Sequence, residues 1–177
     1  MEPRWLDDRE RAAWLRLVAV TELLPSALDA QLRTAAGLTH YDYFVLAMLS
    51  ETDDRTLTMS TLAHRTNATL PRLSHVVRRL EGRGLVERST DPDDRRVTRA
   101  RITDAGMDLV VEVAPTHVEH VRDHVVDALT AEQVDQLADI ADALVARLDP
   151  QGRMSSLLES APRPGACQAG ETTSSTK

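Results

Sequence analysis

The chain has 177 residues, 42% hydrophobic but only 3% aromatic, with a formal net charge of −7. That is one domain's worth of chain with enough apolar content for a core, and no apolar run reaches membrane-spanning length. The single cysteine, Cys167, excludes a disulfide framework within one chain; with a charged start, MEPRWLDDRERAAW, in place of a signal peptide, it predicts a cytoplasmic protein with no membrane attachment.

Residues 7–35 keep helical spacing through Trp14, Leu17, Val18, Thr21, Leu24, Leu28 and Leu32. Pro25 is expected to kink this helix rather than end it, and Gly37 closes it. Thr39 caps a second helix over 41–50 that turns Tyr41, Phe44, Val45, Met48 and Leu49 inward. Residues 52–55 are a polar loop.

Residues 58–103 hold most of the information. A short helix over 60–66 and a tight link at Asn67-Ala68 lead into a helix over 69–82, with Thr69 as N-cap and Pro71 in the first turn. At 100° per residue, Leu70, Leu73, Val76, Val77 and Leu80 form a core stripe, while Pro71, Arg72, Ser74, His75, Arg78 and Arg79 gather opposite. That is a helix-turn-helix pattern, whose second helix lies in the major groove of DNA. Gly84 stops the helix, and strands over 85–89 and 97–102 flank an Asp-Pro tip, 90–96. Arginine at such a tip reaches a narrow minor groove, and Asp94 is placed to orient Arg96 through a charge-assisted bond. Between positions 55 and 101 stand eleven arginines, no lysine and five acids, a net +6 inside an acidic chain, which suggests a polyanionic partner.

Beyond the hairpin, Thr103 caps a helix expected to reach about Leu129, with a kink at Pro115. Thr130 and Gln133 form a capping box for a last helix over 131–148, ended by Asp149-Pro150. Val134, Leu137, Ile140, Ala141, Leu144 and Leu148 line it like a coiled-coil seam. The first, post-wing and last helices are apolar on one face beyond what one such module needs, which predicts a twofold dimer. The chain thus divides into a dimerisation helix (1–36), a DNA-binding region (37–103), further dimerisation helices (104–149) and a disordered tail (150–177) with a short helix over 155–159.

The residues Leu62-Ala63, Arg79-Leu80-Glu81-Gly82-Arg83-Gly84-Leu85-Val86, Asp94-Arg95-Arg96 and Ile102-Thr103-Asp104-Ala105-Gly106 resemble the winged helix-turn-helix of the MarR family, with Ile102 in place of the family's Leu. In order and spacing the resemblance spans about Leu15 to Leu148. The expected fold is mostly α with a small β-hairpin wing: a winged helix-turn-helix plus a helical dimerisation region. The resemblance implies a homodimeric DNA-binding transcriptional regulator, usually a repressor, many of which are released by small ligands. Arg72, Ser74 and His75, with Pro71 near the helix start, are candidate base-edge contacts, and Thr69 belongs to the same DNA-binding helix; Arg65, Arg78 and Arg79 are candidate phosphate contacts; Asp94, Arg95 and Arg96 form the wing tip. A small aromatic or phenolic effector would sit in a crevice walled by Trp14, Tyr41, Phe44 and His117.

Two other readings compete. His117, Glu119, His120 and His124 share a helix, and Glu119-His120 followed by His124 is similar to the pattern of zinc-responsive family members, although Phe44 stands where a further histidine ligand would be expected. The HVEH run is not the HExxH arrangement of metalloproteases. The other reading is a helical protein–protein adaptor. Catalysis is not expected, since there is no Gly-rich phosphate loop, no nucleophile with a nearby base and no paired-carboxylate pocket; Asp53-Asp54 and Asp93-Asp94 sit on loops. No cofactor is expected.

Overall fold

In the computed structural model, which describes residues 3–154, the element order is α1 (Asp8–Ala36), α2 (His40–Ser50), β1 (Thr56–Thr58), α3 (Met59–Arg65), α4 (Leu70–Gly82), β2 (Val86–Thr90), β3 (Thr98–Ile102), α5 (Asp104–Val121), a π-helical turn (Arg122–Val126) and α6 (Ala131–Leu148). The expected mostly-α fold with a small wing is present, and the helix starts are set by the caps read from the sequence. Thr39, Thr69, Thr103 and Thr130 each accept a bond from a backbone N–H in the first turn. Thr39–Asp42 and Thr130–Gln133 are full capping boxes. Gly37 ends α1 at φ +62, where a side chain would be strained. Both α1 and α5 run through their internal prolines, Pro25 and Pro115.

The sheet has three strands in the order β1-β3-β2, all antiparallel. The sequence suggested two. The third, β1, is only three residues long and pairs Leu57 with Ala100, so it exists because β3 offers it an edge. The core is built by Val45, Leu46, Met48 and Leu49 of α2, Leu62 of α3, Leu73, Val77 and Leu80 of α4, and Ala100 and Ile102 of β3, with Leu32 and Leu38 closing it from the α1 side. Leu70 is not part of the expected core stripe: it is 48% exposed at the first position of α4. Phe44 and Tyr41 are half-buried against the core rather than inside it.

Beyond the sheet, α5 packs on α1 and α2. The irregularity in this region falls at Arg122–Val126 instead of at Pro115. The expected single helix to Leu129 therefore breaks into a π turn and a short loop before α6. Among the described residues α6 buries none, and Leu137, Ile140, Leu144 and Leu148 on it are exposed. So are Trp14, Leu17, Val20 and Leu23 on α1 and Val111 and Val118 on α5. After α6, residues 150–154 turn back so that the Asp149 carboxylate accepts from the Met154 N–H at 2.8 Å. Cys167 and the expected helix over 155–159 lie outside the described residues.

Where the sheet joins α5, the Thr103 N–H donates to the Leu85 carbonyl at 3.1 Å and its hydroxyl to the Gly84 carbonyl at 2.7 Å. Gly106 lies one helical turn on, and a Cβ there would overlap the Leu85 carbonyl oxygen and come 2.7 Å from Ile102 Cγ1. Gly82 has nothing within 4 Å of such a Cβ. Gly106→Ala is therefore expected to lower the unfolding free energy by about 2–3 kcal/mol through overpacking, whereas Gly82→Ala leaves it unchanged or raises it slightly. Urea denaturation of the two variants checks this; equal effects would contradict it.

Candidate nucleic-acid interface

The second helix of the helix-turn-helix, α4, is fixed from behind by its apolar face, and the turn before it is tight. Asn67 takes φ +46, and the Ala68 N–H donates to the Ala63 carbonyl at 2.9 Å. An asparagine tolerates that left-handed conformation better than most residues. Pro71, Arg72, His75 and Arg78 are exposed on the outer face, Ser74 is half-buried and Thr69 caps the helix with its hydroxyl. Arg65, at the end of α3, is half-buried.

Three arginines of α4 and its C-terminus do not simply extend outward. The Arg72 guanidinium lies 4.5 Å from the centre of the Tyr41 ring, so reading a base requires it to swing off that ring. A cation–π contact at an exposed site is worth about 0.5–1 kcal/mol, small enough to exchange for a base contact. Arg79, expected as a phosphate contact, instead pairs with the buried Asp42 carboxylate of α2. Arg83 donates to the Ala36 and Gly37 carbonyls at 2.9 and 3.0 Å, closing the C-terminus of α1. The sequence showed these as positive charges on one helix. Their partners come from segments 31 to 47 residues away and could not be read from periodicity.

The wing tip is held by its own acids. The Asp91 carboxylate accepts from the Asp93 and Asp94 N–H groups at 2.9 and 3.2 Å and pairs with Arg99 at 3.1 Å. Asp94 grips Arg96 twice, through Nε at 3.1 Å and Nη2 at 3.1 Å, and also accepts from the Arg96 N–H at 3.0 Å. That is the orienting bond expected between these residues. Hydrogen bonds from Arg96 hold the Asp94 carboxyl below its usual value. The Arg96 side chain remains 90% exposed, and Arg95 beside it is exposed as well. Behind them, Arg88 pairs with Glu81 and Arg101 with Glu87, so part of the regional positive charge is neutralised within the module.

A cleft of 270 Å³ separates α4 from the wing, with Ser60, Leu70, Ser74, Arg96 and Thr98 among its walls. It brings Ser74 and Arg96 to one place. A fixed helix face, a polar cleft and a cation-tipped hairpin form a surface suited to straddling a phosphate backbone.

The residues expected to wall an effector crevice do not converge. Trp14 is 54% exposed on α1; Tyr41 lies under Arg72 and donates its hydroxyl to Thr66 Oγ1 at 3.0 Å; His117 meets the Tyr43 ring at a tilt, 4.6 Å between centres, and stacks on His40 at 6.0 Å. Two other hollows are present. One, of 450 Å³, lies between α1, α2 and α4 and is lined by Pro25, Asp29, His40, Tyr41, Arg72 and Arg79. The other, of 520 Å³, is apolar and lies between α1, the π turn and α6. The histidines expected as alternative metal ligands do not converge on one point, although the His120 and His124 rings stack at 5.9 Å. His120 and His124 each bond through Nδ1 to a backbone carbonyl one turn back, Glu119 is exposed, and His117 is turned toward α2. Among the described residues no three His, Cys, Asp or Glu side chains are placed to share a metal ion.

The family model that matches residues 38–98 is that of the MarR family. The crystal structure of Sco3205, a MarR family transcriptional regulator from Streptomyces coelicolor in complex with DNA, is 40% identical, with a TM-score of 0.81 over 85% of this chain and 94% of that one. The HTH-type transcriptional regulator MhqR of Bacillus subtilis is 29% identical over 59% of this chain and 70% of its own length. The transcriptional repressor MprA of Escherichia coli is 26% identical over 71% of this chain and 70% of its own length.

Burial holds the imidazoles of His40 and His117 below the ordinary histidine value, helped at His117 by the neighbouring His40 and His120; Asp29 partly opposes the shift at His40. A neutral imidazole is thus favoured in the folded state. Stability is undiminished above about pH 6.5 and is lost as pH falls through the depressed folded-state values, because the unfolded chain takes up the protons first. The melting temperature should fall between pH 7.5 and 5, and more shallowly in His117→Gln. A wild-type melting temperature flat across that range would contradict the assignment.

Proposed function

The chain belongs to the MarR family of winged helix-turn-helix transcriptional regulators, and on that premise we propose that it is a homodimeric repressor that binds double-stranded DNA at pseudo-palindromic operators and is released by a small aromatic or phenolic effector. It is a regulator, not an enzyme. The observation that carries the reading is the shared cleft between α4 and the wing, where the outward face of a buried-backed helix meets an arginine held in a fixed fork. Arg72, Ser74 and His75 are the proposed base readers, Arg78 and Arg95 the phosphate contacts, and Arg96 the minor-groove probe. Arg79 leaves the set of DNA contacts, because its guanidinium is committed to Asp42.

The dimer reading rests on the exposed apolar side chains that run over α1, α5 and α6, such as Leu23, Val118, Ile140 and Leu144. A second copy would bury them around a twofold axis. Of the four residues expected, the effector reading keeps Tyr41 and moves to the hollow between α1, α2 and α4 that Tyr41 lines. An aromatic acid there would meet the Tyr41 ring and offer a carboxylate to Arg72, competing with DNA for the same guanidinium. Differential binding of about 1–3 kcal/mol would lower operator affinity by one to two orders of magnitude, and operator DNA would weaken effector binding by the same factor.

Arg72→Ala should weaken operator binding by about tenfold and relax preference for one base pair, as loss of a bidentate contact worth roughly 1–3 kcal/mol implies. Arg96→Ala should weaken binding to operator and unrelated duplex alike and flatten the salt dependence. Titrations at several salt concentrations, with and without a panel of phenolic acids, read both. Unchanged discrimination in Arg72→Ala would remove Arg72 from the readers, and no release by any compound at millimolar concentration would remove the effector.

A further inference from the structure

Leu70 stands apart from every other exposed large hydrophobic side chain. Among the described residues these lie at Trp5 and Leu6 before α1 or on α1, α5 and α6, with the one exception of Leu70, 48% exposed at the first position of α4. A single exposed leucine is ordinary on a protein surface; its position is what distinguishes this one. The first turn of the second helix in a helix-turn-helix is the part that meets base edges. Leu70 is one of the walls of the cleft shared by Ser74, Arg96 and Thr98, where polar and apolar side chains mix. Its neighbours in the helix, Leu73 and Val77, are fully buried, so the backbone that carries Leu70 is anchored while its side chain is free.

In the major groove the one apolar group on a base edge is the C5-methyl of thymine. We propose that Leu70 is a specificity-determining residue that packs on a thymine methyl in each half-site, beside the hydrogen-bonding contacts of Arg72 and Ser74. The inference rests on the reading that α4 enters the major groove. Leucine there favours A·T over G·C at one position without any hydrogen bond, because cytosine presents no methyl and its N4 amino group would be desolvated against an apolar side chain.

The test removes the methyl from the DNA rather than from the protein. An operator is selected from random duplexes with the full chain, and each thymine is then replaced singly by deoxyuridine, which differs only at C5. For wild type, uridine at one symmetric position per half-site should weaken binding by about fourfold, as burial of one methyl implies. Leu70→Ala, which removes the contact from both half-sites, should bind the thymine duplex about as weakly as wild type binds a duplex with uridine at both symmetric positions, and should not respond to uridine there. Because alanine suits a helix and the site is half open, circular dichroism and melting should match wild type. A uridine effect that persists undiminished in Leu70→Ala, or no uridine effect at any position, overturns the inference. Arg72→Ala and Ser74→Ala run in parallel separate the two levels: if these and Leu70→Ala all keep wild-type discrimination against unrelated duplex, the placement of α4 itself is wrong, and the Leu70 inference falls with it.

Discussion

Asp42 is 2% exposed, and the rest of the DNA-binding lobe depends on how its charge is satisfied. One oxygen accepts from the Thr39 N–H at 2.9 Å and so begins α2; the other takes the Arg79 guanidinium and so fixes α4 against α2. A buried carboxylate with neither partner would be costly enough to disrupt its surroundings. Removing one partner of a fully desolvated pair costs about 3–5 kcal/mol. Arg79 is 45% exposed, which places this pair toward the lower end. A structural charge at the heart of the module explains why one arginine of an arginine-rich helix is tied inward.

From Asp42 the linkage runs outward in both directions. Arg83, one turn beyond Arg79, closes the last carbonyls of α1, and Asp29 of α1 accepts from the His40 N–H at the start of α2. The long helix with the exposed apolar face is therefore bonded to the C-terminus of the helix with the exposed cations. On the other side, Tyr41 ties α2 to the end of α3, and Arg88 ties the wing strand β2 to Glu81 of α4. Movement of α1 relative to a partner would be passed to α4 through polar contacts that have direction, not only through apolar packing that could slide. The crevice at Pro25, Asp29, Tyr41 and Arg79 sits on that linkage, where a bound molecule would bias the angle between the two helices.

Much of the fold was legible because it is local. Thr39, Thr69, Thr103 and Thr130 set helix starts through bonds three residues away, and Gly37 sets an end through its own φ. The wing fork between Asp94 and Arg96 is likewise a contact two residues long. What could not be read is what depends on distant chain. β1 is a strand only because β3 is beside it, and its Thr-Leu-Thr carries no pattern of its own. Arg79 and Arg83 looked like any other outward cations until α1 and α2 were placed. A signal for Arg79 did exist: Asp42 lies within an apolar helix, and an acid in such company needs a cation from elsewhere. Leu70 was assigned to the core by helical angle alone, but the first residue of a helix projects beyond the elements that cover the later turns. The proline rule pointed to Pro115 as the irregular point of α5, whereas the π turn falls later, at Arg122–Val126, and no residue there breaks a helix on composition.

A bond network that fixes α4 to α1 would make a dimer built on α1, α5 and α6 present two recognition helices at one set spacing. Operator affinity measured against half-site spacing tests this most directly. Inserting 5 base pairs at the centre of a selected operator rotates the half-sites by about half a helical turn, and the account predicts that affinity falls to that of an isolated half-site; an insertion of 10 base pairs restores the face but not the distance and should recover little of it. Affinity that survives both insertions would mean that the two recognition helices move independently, which contradicts the account.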